Sequence, residues 1–251
     1  MLLGITHPTA GSFSWFDGVD NDAARQRIGT LLETPNFYPY MTAEQNLDVV
    51  AHIKKVKNVD YDALLEQVNL AHRKKSKFKT YSLGMKQRLA IAAALVGDPD
   101  VLIFDEPTNG LDPRGIAEVR EIIQRIAEQG KTIIMASHIL VEVEKICSHV
   151  AILQRGKLMA AGTVGTILTS DKIVEVQSED LEQLANAMQS VKGLKSITKE
   201  EGHLILTLDE HGDSATDINC YCFENGIVLT RLVERKRSLE SEFLEITSRS
   251  N

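Results

Sequence analysis

Four apolar residues, Val101-Leu102-Ile103-Phe104, run without alternation into two carboxylates, Asp105 and Glu106. A strand with one wet face alternates apolar and polar positions, so an unbroken run predicts a strand buried on both faces. Residues 132–136, Thr-Ile-Ile-Met-Ala, predict a second buried strand, and residues 28–32 read as a further strand. Helical spacing shows in Ile116, Val119, Ile122, Ile123 and Ile126, with Gly130 placed to close that helix. Thr42 and Gln45 form a capping-box pair that opens a helix to about residue 55, and Asp60 caps a shorter one to about residue 68. From Met1 to about Gly162 strands and helices therefore alternate, the pattern of a parallel sheet covered by helices.

The texture changes after Ser170. Residues 172–177, 194–197, 204–208 and 227–232 read as short strands. Residues 181–188 and 215–223 read as helices between them, and 239–246 as a closing helix. That gives a β-α-β-β-α-β order, a small split α+β sheet. Two domains are expected, 1–169 and 170–251.

Composition narrows the function. The 251 residues carry a net charge of −7, against the basic face usual in nucleic-acid binders, so no nucleic-acid partner is expected. No apolar run approaches the length of a membrane span, so a membrane role would come through a partner. Met1 to Ile5 is too short for a signal peptide. Cys147, Cys220 and Cys222 are too few for a disulfide scaffold and fit a reducing cytosol. Cys220 and Cys222 have no second Cys or His pair near them in sequence, so packing, not metal binding, is expected there. Residues 73–79 form a basic loop, which reads as a solvated surface turn.

The chemistry concentrates around the first buried strand. Ligands of open α/β sheets bind outside the carboxyl ends of the strands, where Asp105 and Glu106 stand. One of the two can hold Mg²⁺ through water, and the other can orient or deprotonate an attacking water. A solvated acidic turn is the plainer alternative. Asp112 before Pro113 is explained fully as a helix cap. His138, at the end of the second strand, is either structural or a donor to a phosphate oxygen. Ser82 opens a helix whose start contains Gly84. It is either an ordinary cap or, through free N–H groups and the dipole, a phosphate site.

In this order, a Ser-x-Gly helix start, a buried strand with Asp-Glu, then Leu-Asp, then Ser-His, the elements resemble the nucleotide-binding domain of ABC transporters. Asp105 lies 23 residues after Ser82, and His138 lies 33 after Asp105, as the family spacing requires. The resemblance covers about Met1 to Gly162, and the tail is weakly similar to the accessory domain behind some exporter ATPases. It implies a P-loop-type parallel sheet with a helical subdomain. It also implies a cytosolic ATP-hydrolysing subunit, pairing head to tail with a copy or homologue on the inner face of a membrane permease. By resemblance, Asp105 belongs to the Walker B site and binds Mg²⁺, Glu106 is the catalytic carboxylate, and His138 is the switch histidine. Asp112 lies in the loop that crosses the dimer, and Ser82 and Gly84 grip ATP held by the opposite subunit.

The sequence departs from the family in three places. Tyr81, Leu83 and Met85 replace three of the five residues in Leu-Ser-Gly-Gly-Gln. Glu33 stands where the Q-loop glutamine is expected, as in the bacitracin and lantibiotic exporter subfamily, and keeps an oxygen for ATP-bound Mg²⁺ or water. No G-x-x-x-x-G-K-[ST] occurs in the 251 residues. Met1 to Ile5 resembles the end of the helix that follows that loop, so the P-loop is expected in roughly 45 upstream residues lost to a truncated gene model. Without them the chain is expected to be inactive by itself. The alternative is a natural ATPase-inactive partner, regulatory or vestigial.

Overall fold

A computed structural model of the chain describes residues 1–18, 21–168, 171–236 and 238–248. The chain forms two compact units, Met1–Ile139 and Leu140–Asn251. The expected domain boundary at residues 169 and 170 lies outside the described residues.

In the first unit a short helix, α1 (Asn21–Gln26), leads into β1 (Ile28–Leu31). Three helices follow, α2 (Ala43–Ile53), α3 (Tyr61–Gln67) and α4 (Leu83–Leu95), before β2 (Val101–Asp105), α5 (Pro113–Glu128) and β3 (Thr132–Ala136). The three strands form one parallel sheet in the order β1-β2-β3. The caps sit where side-chain chemistry places them. Thr42 and Gln45 exchange both bonds of the capping box, and Asp60 accepts from the Ala63 N–H. α4 is apolar all round from Leu89 to Leu95 and is buried there. It lies so close to β1 that a methyl group on Gly29 would come within 2.2 Å of the Ala94 carbonyl oxygen. Glycine is what this crossing permits. α5 buries one stripe, Val119, Ile122, Ile123 and Ile126, and ends before Gly130 at φ 87°.

Two expectations are corrected here. β3 forms at residues 132–136, but it is an edge strand and not a buried one, with Ile134 41% exposed. An apolar run does not reveal how many strands flank it. Residues 1–5 form turns, not a helix end, with the Gly4 N–H bonded to the Met1 carbonyl. Gly4 at φ 77° takes a left-handed turn that a continuing helix does not contain.

The second unit opens with α6 (Leu140–Ile146) and an antiparallel hairpin, β4 (His149–Gln154) and β5 (Lys157–Thr163), followed by α7 (Val164–Ile167). Then come β6 (Lys172–Ser178), α8 (Leu181–Met188), β7 (Leu194–Glu200), β8 (His203–Leu208), α9 (Ala215–Glu224), β9 (Leu229–Lys236) and α10 (Leu239–Ser248). The four strands lie in the order β7-β8-β6-β9, each antiparallel to its neighbour. β8 therefore separates the parallel pair β6 and β7 that α8 connects, the split βαβ arrangement. Alternation decides which side is buried. Val174 and Val176 of β6 and Leu204, Leu206 and Leu208 of β8 meet Leu184, Met188, Ile218 and Cys222 in one core.

Candidate functional site

Parallel pairing brings the carboxyl ends of β1, β2 and β3 side by side. Leu31 is in register with Phe104, and Asp105 with Ala136. Glu33, Asp105 with Glu106, and His138 follow those ends, so residues far apart in sequence share one edge of the sheet. This is where open α/β sheets hold ligands.

Glu106 leaves the sheet at φ 47° while its N–H still bonds the Ala136 carbonyl at 2.9 Å. The left-handed backbone costs a non-glycine residue about 1 kcal/mol or more. It turns Glu106 toward β3, where its Oε2 lies 2.9 Å from His138 Nδ1. The approach is close but poorly aligned. Glu106 Oε2 is sealed from solvent and receives no hydrogen bond. A buried acceptor left without a donor is costly, and its natural complement is a ligand or a water. His138 remains largely exposed, with 65% of its side chain in solvent.

The turn after β2 holds the other carboxylate. Asn109 Nδ2 donates to Glu33 Oε1 at 3.0 Å, and the Asn109 N–H bonds the Glu106 carbonyl at 3.1 Å. Thr108 is buried beneath this turn, and Gly110 takes the left-handed conformation that ends it. Asp112 then caps α5, accepting from the Gly115 N–H at 2.7 Å. In sequence Asn109 is simply the first residue of an Asn-Gly turn. Its amide next to a buried-strand Asp-Glu was the signal available, but its partner lies too far away in sequence to be inferred.

Ser82 caps α4 by accepting from the Met85 N–H at 3.3 Å. Within this chain nothing crowds Gly84. A methyl group there would meet only Leu111, at an ordinary 3.9 Å. The start of α4 and the 109–112 turn thus adjoin, Leu83 standing beside Gly110. Tyr81 is buried, and its hydroxyl donates to the Arg73 carbonyl at 2.8 Å. Burial holds that phenol above its ordinary range, with the Arg73 charge opposing, so it stays a donor. A tyrosine at this position is thus accommodated by a local bond. Among the described residues, Ser82 and Gly84 share no hydrogen bond or ion pair with Glu33, Asp105, Glu106 or His138.

The donor set suits a cation held partly by a ligand. Among the described residues no three His, Cys, Asp or Glu side chains gather to hold a metal by themselves. Asp105 is exposed at the sheet edge. Mg²⁺ usually binds through one or two carboxylates, waters and substrate phosphates, which one such Asp can serve.

The model of the ABC transporter family matches residues 1–109. A bacitracin transport ATP-binding protein of Bacillus licheniformis is 36% identical over 252 residues, which is 98% of this chain and 82% of that protein. A Nod factor export ATP-binding protein of Burkholderia thailandensis is 33% identical over 99% of this chain and 83% of its own length. A solved ATP-binding subunit of an ABC transporter superposes with a TM-score of 0.57 at 30% identity, over 66% of this chain and 72% of that one.

Proposed function

The chain belongs to the ABC transporter family of ATP-binding, ATP-hydrolysing subunits, and on that premise we propose that Glu106 is its catalytic carboxylate and that it drives export through a separate membrane permease. The observation that carries this reading is the sealed, donor-free Glu106 Oε2 facing His138 at the end of β2. An attacking water would supply the missing donor, and Glu106 would orient it and take its proton. His138 would donate to a γ-phosphate oxygen. Asp105 would hold Mg²⁺ through water, with Glu33, steadied by Asn109, as a second oxygen donor. Mg²⁺ would supply neutralisation of charge on the phosphates.

The start of α4 faces outward, which fits a second role. Ser82 and the open backbone at Gly84 would grip ATP bound to the opposite subunit, with Asp112 in the loop between the two. We place the ATPase domain at 1–169 and an accessory domain at 170–251, because the βαββαβ sheet begins at Lys172. No helix among the described residues is long and apolar enough to cross a membrane. A permease-bound place on the inner membrane face accords with that, as do relatives named for bacitracin transport and Nod factor export. The partner subunit would be a second copy or a homologue.

Steady-state ATP turnover of the purified transporter complex tests the assignment. Glu106→Gln keeps size and hydrogen bonding, so nucleotide binding persists while turnover falls about 10²–10⁴-fold. If Glu33→Gln abolishes turnover and Glu106→Gln retains about a third of it or more, Glu33 is the base instead.

A further inference from the structure

Residues 67–97 contain seven Lys and Arg and no Asp or Glu, in a chain whose net charge is −7. Several of these cations are engaged. Lys74 pairs with Glu44 and Asp62 at 3.0 Å each, Arg88 with Glu118 at 3.6 Å, and Arg73 stacks 5.9 Å from the Tyr81 ring. Lys75, Lys77 and Lys79 are exposed and have no carboxylate partner among the described residues.

These lysines are not on a loose loop. The Phe78 N–H bonds the Met41 carbonyl and the Lys79 N–H bonds the Pro39 carbonyl, both at 2.9 Å, and Lys77 forms an antiparallel bridge with Thr42. Phe78 is buried as the anchor, edge-on to Phe37 at 5.2 Å. The stitching sets the lysines beside two tyrosines that point into solvent, Tyr38 at 58% and Tyr40 at 73% exposed. Lys79 Nζ lies 5.2 Å from the Tyr40 ring.

We propose that Tyr38, Tyr40, Lys75, Lys77 and Lys79 form a face that rests on the anionic headgroups of a membrane. Clustered lysines are drawn to anionic lipid, and tyrosine rings settle at headgroup depth with the hydroxyl wet. With a net charge of −7 the chain as a whole is repelled by such a surface, so a basic patch that binds it also sets orientation. The proposal concerns only this surface and stands or falls apart from the catalytic reading.

Co-sedimentation of the 251-residue chain with vesicles tests it. Binding is expected to phosphatidylcholine vesicles about a third of whose lipid is phosphatidylglycerol, not to pure phosphatidylcholine, and to weaken as salt rises. Changing Lys75, Lys77 and Lys79 together to Gln lowers the partition coefficient by about fivefold per lysine. Tyr40→Ala lowers it severalfold with no change in charge, which net electrostatics alone does not predict. Changing Lys157, Lys192 and Lys199 to Gln removes the same charge elsewhere and leaves binding intact. Equal loss in that control, equal binding to neutral vesicles, or tighter capture of single-stranded RNA through the same residues overturns the proposal. Thermal melts that match wild type confirm that each variant is folded.

Discussion

Asn109 Nδ2 lies 3.0 Å from Glu33 Oε1, so the turn after β2 holds the carboxylate that follows β1. The same residue bonds the Glu106 carbonyl through its backbone N–H. Glu33 and Glu106 are thus two hydrogen bonds apart through one asparagine.

That link predicts an effect on turnover with little effect on stability. Asn109 and Glu33 are exposed, so Asn109→Ala changes stability by no more than about 0.5 kcal/mol. ATP turnover of the transporter complex falls about tenfold as Glu33 loses its orientation. Asn109→Asp is worse, because it sets one carboxylate against another. Turnover unchanged in both variants would show that the link has no bearing on catalysis.

Gly29 predicts the opposite pattern, a stability loss with no chemical role. A methyl group there meets the Ala94 carbonyl oxygen at 2.2 Å and Leu102 Cδ2 at 2.6 Å, and a backbone oxygen cannot swing aside. Gly29→Ala is expected to destabilise by at least about 1–3 kcal/mol. Gly165→Ala, where nothing lies within 4 Å, shifts the urea midpoint little or upward. Urea titration of the two side by side checks this.

What could be read from the sequence were the features in which cause and effect lie close together along the chain. Thr42 with Gln45, Asp60 with Ala63, Ser82 with Met85 and Asp112 with Gly115 are bonds across three residues, written by the side chains themselves. The alternation of Leu204, Leu206 and Leu208 announced β8 as a one-sided strand. The order of motifs carried the family, and parallel pairing then placed Glu33, Glu106 and His138 at one edge. Illegible features depended on a distant partner. The exposure of Ile134 reflects which strands flank β3. The bond between Asn109 and Glu33 spans two strands. The β4–β5 hairpin was missed because Lys157–Thr163 is rich in Ala and Gly, with weak strand preference.

The cysteines separate by environment. Cys222 is fully buried in the core of the βαββαβ sheet, and Cys220, two residues away on α9, is exposed. Burial pushes the Cys222 thiol up, and the half-buried Cys147 likewise, so both hold less reactive thiolate near neutral pH. Iodoacetamide on the folded chain should modify Cys220 first, Cys147 more slowly, and Cys222 only on unfolding. Peptide mapping over a time course reads the order. Early labelling of Cys222 would contradict the core described above.

Glu106 joins strain and chemistry at one position, and the two can be pulled apart. Its φ of 47° disfavours every residue with a Cβ, and its Oε2 is buried without a donor. Both terms act against the folded state. Glu106→Gly removes both, and the gain is offset in part because glycine frees the unfolded chain. The folded protein is expected to gain about 1 kcal/mol. Glu106→Gln keeps the strained backbone, so it gains less. Turnover in the transporter complex falls by about 10²–10⁴-fold in both variants. A residue held for structure predicts the reverse, since losing the approach to His138 at 2.9 Å would then weaken the fold. Thermal melting and steady-state turnover of the two variants decide between these accounts. A lower melting temperature for Glu106→Gly, with turnover intact in Glu106→Gln, would assign this residue to the architecture of the β2 turn and not to the reaction.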